Sequence, residues 1–499
     1  MKFTIYDKVL EMIPGILVWT TILGGIILAA AKPIWAIYFI IAFDIYWLLK
    51  IIYLLFYMIS SWRKYVRDIS INWMDVLRTK KLPWEEYYHL IFLPVYKEPY
   101  EIIENTFEHI VASNFPKDKF IIVLSGEERG GKEEFLEKAE KIKNVYGKYF
   151  KLLHINVHPK DLPDELAGKG SNLNHAGNQI KKIIDGWKLD YDKIIVSSFD
   201  IDTCAHKEYF AYLTYKYITS PNPTKTSYQP IAAYNNNLWQ SNPIIRVVAS
   251  STTFWLLTDL ARAEKLFTFS SHSMSFTALA EAGFWDKTIV SEDSRIFLQC
   301  FVHNDGDYAV EPLYVPLYMN TVDIGKIFPS LLNQYKQMRR WAWGVEHFPW
   351  LIKHFYGEKG NKKISKVKKF KIVFNHLEGM YSWATAPIIT YIVGHVPLWV
   401  ANINDTKMTL FQNAPHVLSL LMQLSMVGLI VIAIMYFFML PPLPKLFNRW
   451  NYAIIILQWL VVPFTLILFG SIPAIDSQTR LMLGGKFRLG FWVTEKKKL

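Results

Sequence analysis

Two aspartates one residue apart, Asp200 and Asp202, are the residues of this sequence best placed to do chemistry. They directly follow residues 194–199, an apolar and partly β-branched run that predicts a buried strand. Such a run is typical of a central parallel strand covered on both faces, and ligands bind just beyond the carboxyl ends of such strands. The two carboxylates would suit Mg²⁺ or Mn²⁺ together with substrate phosphates. Taken alone, the pair could also be a solvated turn.

A glycine-rich loop, residues 168–176, precedes this strand and enters a helix predicted to run to about Gly186. Glycines let a backbone approach a ligand closely, and the helix start with Lys169 favours an anion. The spacing is not that of a Walker motif, and a plain helix-capping loop explains the same residues. Its closeness in sequence to Asp200 favours one shared, phosphate-bearing ligand.

Two further segments carry charged groups at helix starts or on helix faces. Glu292 and Asp293 open a predicted helix, where acidic residues favour the dipole, so that capping alone would explain them. Residues 331–347 form an amphipathic segment around Gln337, Arg340 and Trp341, which suits a helix lying in a membrane interface.

The elements that must position these residues form an α/β domain. Predicted strands alternate with helices, which favours a mainly parallel sheet. The strands are 89–94, 120–124, 151–157 and 194–198, and the ends of the first two carry Pro94, Tyr96, Glu98 and Glu127. Residues 220–241 are polar and contain proline, which predicts a loop or a strand at the sheet edge.

Apolar runs flank this domain. Residues 12–31 and 34–59 can each cross a hydrocarbon core of about 30 Å, and a signal peptide fits poorly because the second run follows at once. Three more runs lie at about 380–401, 414–440 and 452–473. The sequence therefore predicts an integral multi-pass protein of the cell membrane.

Basic residues determine the predicted orientation and partners. The formal net charge is +12, and next to apolar runs this favours anionic lipids as partners rather than nucleic acid. Basic residues concentrate in 61–85 and in 359–371, which the positive-inside rule places in the cytoplasm together with the domain. The two cysteines, Cys204 and Cys300, cannot supply a disulfide framework, which fits a reducing compartment.

These patterns divide the chain into six segments. They are two transmembrane helices (1–60), a basic interfacial segment (61–85), the catalytic domain (86–330), an interfacial helix with a polybasic segment (331–371), two or three crossings (372–475) and a basic tail (476–499).

Four motifs, taken together and in order, resemble those of the membrane-embedded family-two glycosyltransferases, which include cellulose, chitin and hyaluronan synthases and ceramide glucosyltransferase. Residues 199–202 look like the metal-binding Asp-x-Asp, 169–174 like the Lys-Ala-Gly-Asn-Ile-Asn loop, 291–293 like Thr-Glu-Asp with Ser291 replacing Thr, and 337–341 fit Gln-x-x-Arg-Trp. More weakly, residues 491–496 resemble the Phe-x-Val-Thr-x-Lys gating loop of processive synthases.

The resemblance implies a catalytic domain of the GT-A (nucleotide-diphospho-sugar transferase) type with a UDP-sugar as the favoured donor. The second strand ends in Ser-Gly-Glu-Glu, where many relatives carry a base-contacting aspartate, so the nucleotide stays open. The implied residues are Pro94, Tyr96, Glu98, Glu127, Lys169, Asn174 and Asp200 for the nucleotide-sugar, Asp200 and Asp202 for Mg²⁺ or Mn²⁺, Glu292 and Asp293 for catalysis, and Gln337, Arg340 and Trp341 for acceptor and diphosphate.

Elementary chemistry assigns roles that agree with this resemblance. Lys169 and Arg340 can share the diphosphate charge, one as a point charge and the other as a planar fork. Asp293 can deprotonate the acceptor hydroxyl, an effect of roughly 10²–10⁴ in rate. One base without a covalent nucleophile implies a single displacement and inversion at the anomeric carbon.

Three functions stay open at this stage. Synthesis of a polysaccharide is favoured by the tail motif, whereas the modest number of spans favours a single transfer to a lipid acceptor. A non-catalytic transporter or scaffold fits the clustered carboxylates and the basic loop less well.

The basic tail is predicted to lie on the cytoplasmic side with the domain. Five crossings would put it on the opposite side. The count agrees if one carboxyl-terminal segment does not cross. The first candidate is residues 454–472, as a re-entrant pair broken at Pro463, and the second is residues 380–400.

Overall fold

The structure, a computed structural model, describes residues 4–358, 360–400, 409–445, 448, 450–490 and 494–495. Within these residues the chain forms an α/β domain with a mainly parallel sheet, flanked on both sides in sequence by long apolar helices. The predicted fold class is thereby confirmed.

The domain is built on an eight-stranded sheet, within the described part of the chain. The strands are β1 Tyr88–Val95, β2 Phe120–Glu127, β3 Leu152–His158, β4 Ile194–Ser198, β5 Cys204–Ala205, β6 Thr226–Tyr234, β7 His272–Ser275 and β8 Ala309–Met319. Their order across the sheet is β3-β2-β1-β4-β7-β6-β8-β5. The pairs β3–β2, β2–β1, β1–β4 and β6–β8 are parallel, whereas β7 is antiparallel to both neighbours and β5 to β8.

Helices cover both faces of the sheet, as its apolar strands require. Alternate residues of β1 illustrate this: Leu90 and Phe92 lie in one core cluster, and Ile91 and Leu93 in the other. The helices of the domain are α3 Trp73–Thr79, α4 Tyr100–Val111, α5 Lys132–Tyr146, α6 Lys169–Trp187, α7 Tyr209–Thr219, α8 Pro243–Leu260, α9 Phe276–Glu281, α10 Glu292–His303, α11 Ile327–Ala342 and α12 His347–Tyr356.

Strand β6 differs from the sequence expectation for residues 220–241. It does not lie at the sheet edge but between β7 and β8, and its residues 226–233 are buried. Pro230 is tolerated there because the register with β8 shifts between Pro230 and Ile231, a bulge where a ladder hydrogen bond is not required.

Among the described residues, five helices are long and apolar enough to cross a membrane. They are α1 Ile5–Ala31, α2 Pro33–Ile69, the run Lys366–Val400 with α13 Lys366–Tyr391 and α14 Val396–Val400, α15 Thr409–Met439, and the run Trp450–Leu483 with α16 Trp450–Leu457, α17 Val462–Thr465 and α18 Ile472–Leu483. The segment boundaries drawn at 60 and 475 fall inside helices, because α2 continues into the basic segment and α18 into the tail.

The first four of these helices extend between the domain and a far end. At the domain end, the ammonium of Lys353 lies 2.6 Å from Asp7 of α1, and Met58 of α2 joins a core cluster of the domain. At the far end, Ile37 of α2 packs with Leu398 of α14 and Phe411 of α15.

The fifth run, Trp450–Leu483, follows a different path. Near its start Tyr452 packs on Trp239 of the domain, with ring centroids 5.6 Å apart. At its end the ammonium of Lys8, beside the domain end of α1, donates to the carbonyls of Met482 and Leu483 at 2.7 Å each. Both ends therefore lie on the domain side.

The fifth run is also irregular where the sequence predicts a re-entrant break. Pro463 stands between a 3₁₀ turn, Gln458–Val461, and a π-helical segment, Leu466–Ser471. Proline removes a helical hydrogen bond, and π segments change the helix direction. The segment stays helical and is long and apolar enough to cross a membrane, but the contacts at its two ends place both of them on the domain side.

Candidate active site

Four charged side chains from three elements meet at the carboxyl end of β4. The ammonium of Lys169, the first residue of α6, lies 2.8 Å from Asp200 Oδ1 and 2.9 Å from Asp293 Oδ2. Glu292 Oε1 is 4.0 Å away. Lys169, Asp200, Glu292 and Asp293 are here named the charged cluster.

The absence of a side chain at Gly170 lets α6 approach the start of α10. A Cβ built on Gly170 would lie 2.7 Å from the carbonyl oxygen of Asp286 and 3.0 Å from the Cβ of Glu292. Contacts below 3.0 Å would force the backbone apart. A glycine at position 170 is thus explained by the close packing of α6 against the start of α10.

The two aspartates after β4 are held by different neighbours. Asp200 Oδ2 accepts a hydrogen bond from the Ser270 hydroxyl, and the Asp200 backbone N–H donates to Ser271 Oγ at 3.2 Å. Asp202 is buried, and its Oδ2 accepts from the backbone N–H of Asn320 at 3.1 Å. Asp200 is therefore oriented by the loop before β7, and Asp202 by the residue that follows β8.

Asp200 and Asp202 are also the pair that the sequence predicts to hold a divalent cation. Among the described residues, no group of three or more His, Cys, Asp or Glu side chains is arranged to hold a metal ion. Mg²⁺ and Mn²⁺ commonly take only one or two protein carboxylates and complete their shell with substrate phosphates and water. Asp200 and Asp202 supply this smaller donor set.

Burial and charge act in opposite directions on the charged cluster. Burial lowers the pKa of Lys169, but the charges of Asp200, Asp293 and Glu292 outweigh it and raise that pKa overall. Burial raises the pKa of Glu292, and the neighbouring Asp293 adds to the rise. The Glu292 carboxyl is therefore more readily protonated than an ordinary glutamate.

Asp293 has two partners that the sequence did not identify. Its backbone carbonyl accepts from the Thr268 hydroxyl at 2.6 Å, and His272 Nδ1 lies 3.8 Å from its Oδ1. Burial lowers the pKa of His272 to about 4, so this ring is neutral at neutral pH. Both residues escaped sequence reasoning because β7 was not recognised as a strand beside β4.

A second group of side chains, all of them neutral aromatic or amide groups, lies next to the charged cluster. A cavity of about 10 Å³, close to the size of one water molecule, is lined by Tyr234, Asn320, Gln337 and Trp341. The rings of Tyr234 and Trp341 are 5.8 Å apart. These four residues are here named the aromatic–amide wall.

Electrostatics connect the wall to the charged cluster. Burial raises the pKa of the Tyr234 phenol, and the charges of Asp200 and Asp202 add to the rise, while Arg340 opposes it. Arg340 likewise lowers the pKa of Glu292 against the effect of burial. Tyr234 lies at the end of β6, and no sequence motif marked it.

The residues predicted at the ends of β1 and β2 form a separate group. Arg129 Nε is 2.9 Å from Glu127 Oε2, and its guanidinium lies 5.8 Å from the ring centroid of Tyr96. His158, at the end of β3, lies 3.2 Å from the same Glu127 oxygen. Arg129 and His158 had no sequence signal. Pro94 is the penultimate residue of β1 and leads into this group.

Two other predicted residues are bonded to backbone outside the charged cluster. Glu98 Oε2 accepts from the N–H groups of Tyr96 and Lys97 at 2.7 and 3.2 Å, which shapes its own loop. Asn174 donates to the carbonyl of Trp285 at 2.8 Å and so ties α6 to the segment before α10.

Part of the gating-like motif is described. Residues 491–493 and 496 lie outside the described residues, whereas Thr494 is buried and Glu495 accepts from Asn333 of α11 at 2.9 Å through its carbonyl. This part of the tail therefore contacts the helix that carries Gln337, Arg340 and Trp341.

Comparisons with known proteins give one family and several distant structures. Residues 195–472, more than half of the chain, match the family model described as glycosyl transferase family group 2. None of the curated proteins compared matches the sequence.

Two solved structures are among those similar to this chain. The mannosyltransferase PcManGT from Pyrobaculum calidifontis, solved with GDP-Man and Mn²⁺, is 12% identical with a TM-score of 0.41 over 75% of this chain and 99% of that one. Residues 1–349 of TarS from S. aureus, solved with UDP-GlcNAc, are 13% identical with a TM-score of 0.37 over 76% and 91%.

Proposed function

Because the chain belongs to glycosyl transferase family group 2 and its domain has a GT-A-like glycosyltransferase fold, we propose that it is an inverting enzyme that moves a sugar from a nucleotide-diphosphate sugar to a membrane-associated acceptor. The observation that carries this proposal is the meeting of Lys169, Asp200 and Asp293 from three separate elements. Sugar transfer needs a cation near the leaving diphosphate and a base near the acceptor, and this arrangement supplies both.

The leaving group is a diphosphate, whose developing charge must be stabilised. Lys169 keeps its proton because the surrounding carboxylates raise its pKa. Arg340 adds a second cation whose planar fork suits bidentate phosphate binding. Donor binding therefore moves Lys169 from a contact with carboxylates to one shared with phosphate oxygens.

Asp200 and Asp202 are the residues that would hold Mg²⁺ or Mn²⁺. A divalent ion there would supply Lewis-acid stabilisation of the diphosphate, worth several kcal/mol. Ser270 and the backbone of Asn320 keep the two carboxylates oriented.

Asp293 is the proposed general base. Its carboxylate lies 2.9 Å from the ammonium of Lys169 and 3.8 Å from His272 Nδ1, at the end of β4 where the donor diphosphate is proposed to bind. A single carboxylate that accepts the acceptor proton, without a nucleophile that bonds to the sugar, gives one displacement and inversion.

The acceptor is proposed to approach along the aromatic–amide wall from the membrane helices. Trp341 and Met338 of α11 share an apolar cluster with Trp383 of α13 and Phe469 of the fifth run. Flat aromatic faces suit sugar rings and lipid chains. Within this proposal the product is a polysaccharide, and single transfer to a lipid is the alternative that product size distinguishes.

The domain and the tail are proposed to lie together in the cytoplasm. Because the fifth run begins and ends on the domain side, it does not count as a crossing. Four crossings remain, and an even number places the tail on the same side as the domain. The basic residues of 61–85 and 359–371 support a position of the domain on the cytoplasmic side, next to anionic lipids. Lys359 lies outside the described residues.

Orientation is tested by labelling single cysteines with a membrane-impermeant thiol reagent. Lys486→Cys, an exposed tail position, is expected to react only in opened vesicles, and Asn413→Cys, at the far end of α15, is the control that reacts from outside intact cells. Native Cys204 and Cys300 are buried and are replaced in the background. Reaction of both sites from outside would contradict the shared side.

Sugar transfer is tested with the full chain in lipid nanodiscs and a panel of UDP- and GDP-sugars. We expect nucleotide release that requires Mg²⁺ or Mn²⁺ and is lost in Asp202→Ala, while Asp118→Ala, an exposed acidic control, keeps it. Products are then sized, since a polymer and a glycolipid separate readily. Release that persists in Asp202→Ala would contradict the metal assignment, and no release from any donor would contradict the function.

A further inference from the structure

Glu346 connects the start of α10, next to Asp293, with the end of α11, next to Arg340 and Trp341. It is the last residue of the 3₁₀ turn Trp343–Glu346 that continues α11. Its Oε1 accepts from the hydroxyl of Ser291 at 2.6 Å, and its Oε2 accepts from the indole N–H of Trp343 at 2.9 Å. One carboxylate oxygen thus bonds to the residue before α10, and the other bonds to the 3₁₀ turn that continues α11.

The partners of Glu346 are themselves well fixed. Ser291 is the residue before α10, directly ahead of Glu292 and Asp293. Trp343 is buried and packs with Val290 and Val345 in a small apolar cluster. A hydrogen bond to a charged acceptor is stronger than one between neutral groups, so a carboxylate holds these donors better than an amide would.

The next residue, His347, holds the same turn of α10 from the other side. Its Nδ1 accepts from the buried guanidinium of Arg295 at 3.0 Å, so its Nε2 carries the proton toward the Ser294 hydroxyl, 2.7 Å away. Arg295 also lies 3.3 Å from Asp286. Two consecutive residues therefore bind the first turn of α10 at three places.

The charge of Glu346 is compensated although the carboxylate is largely shielded from water. Burial raises the pKa of Glu346, while the nearby Arg295 and the hydrogen bonds from Ser291 and Trp343 oppose the rise. A carboxylate in such surroundings is costly unless its partners are in place. No step of the proposed reaction uses Glu346 directly.

We propose that Glu346 is a positioning residue that holds the Ser291–Asp293 turn against α11, and so fixes Asp293 relative to Arg340 and Trp341. This inference rests on the proposed function, since it gives the distance between base and acceptor side a catalytic meaning. It also explains Ser291, because either serine or threonine can donate the required hydrogen bond, and alanine cannot.

The functional test compares Glu346→Gln and Glu346→Ala with Glu281→Gln, an exposed control on α9. We expect kcat to fall about 10-fold in Glu346→Gln and about 100-fold in Glu346→Ala, with the donor KM unchanged, because a misplacement of about 1 Å can cost about 100-fold. Ser291→Ala should lower kcat about as far as Glu346→Gln does, whereas Ser291→Thr should retain activity. The kcat of the double variant Ser291→Ala/Glu346→Gln should be no lower than that of either single variant, because all three lack the same hydrogen bond to a carboxylate.

A second measurement does not depend on turnover. Hydrogen–deuterium exchange of the full chain should rise in Glu346→Gln within 289–297 and 338–346 and stay at wild-type values elsewhere. Unchanged exchange there, or exchange that rises throughout the domain, would overturn the positioning role. If the wild type releases no nucleotide from any donor, the proposed function fails while exchange still decides the contact made by Glu346.

Discussion

The charged cluster and the aromatic–amide wall lie side by side but are built by opposite means. In the charged cluster, Lys169 lies within 4.0 Å of three carboxylates. The residues of this cluster come from α6, from the end of β4 and from α10. The wall consists of neutral groups from β6, the end of β8 and α11. Under the proposed function, we infer that the charged cluster acts on the diphosphate and on the acceptor proton, and that the aromatic–amide wall orients the acceptor.

The physical reason for this division lies in the cost of unpaired charge. An ionised group taken out of water must find a partner, and Lys169 finds the carboxylates of Asp200 and Asp293. Sugar hydroxyls need neutral hydrogen-bond partners and flat apolar faces instead. Substitutions in the cluster should therefore affect the chemical step, and those in the wall should affect acceptor use.

The largest effect is expected from Asp293→Asn in the charged cluster. Removing the base should lower turnover by roughly 10²–10⁴, the usual contribution of general base catalysis, while donor and Mn²⁺ binding stay near wild type. Single-turnover kinetics and isothermal titration with the donor measure the two quantities. Asp118→Asn is the control, and donor affinity that falls as far as turnover would assign Asp293 to capping.

Arg340→Lys tests the boundary between the two regions. Replacing a bidentate fork by a point charge should lower kcat/KM about 10- to 100-fold, the range of a lost charge-assisted hydrogen bond. Arg339→Lys on the same helix is the matched control, because its 3.0 Å contact with Asp476 can be kept by an ammonium. Equal losses in both variants would mean that the helix, and not the fork, is affected.

Trp341→Ala should have a smaller effect, confined to the acceptor. Losing an aromatic face should raise the acceptor KM about 2- to 10-fold, while hydrolysis of the donor in the absence of acceptor stays unchanged. Trp341→Phe should restore most of the affinity, and Trp187→Phe at an exposed site is the control. A fall in donor hydrolysis would break the proposed separation of the two regions.

The smallest effect concerns stability at mildly acidic pH. Burial lowers the pKa of His89 to about 3, so between about 6.5 and 3 the unfolded chain binds a proton there that the folded chain does not. Stability should fall as pH drops through this window, by about 1.4 kcal/mol per pH unit for this group. Thermal unfolding from pH 7.5 to 5.5 should show a weaker dependence in His89→Gln than in the exposed control His303→Gln.

Local patterns were enough for much of this protein. The apolar run before Asp200, the glycine-rich start of α6 and the long apolar helices can all be read from neighbouring residues, because burial on both faces, helix starts and membrane length leave local signals. The family motifs likewise pointed to Lys169, Asp200 and Asp293, and these three side chains are in contact.

The rest depended on contacts between distant residues. β6 lies inside the sheet because a bulge at Pro230 fits its neighbour β8, and residue 230 alone does not carry that information. Tyr234, Thr268 and His272 consequently reached the site without any sequence signal. The path of Trp450–Leu483 was likewise decided by its contacts with Trp239 and Lys8, since hydrophobicity records that a segment avoids water but not which side it returns to.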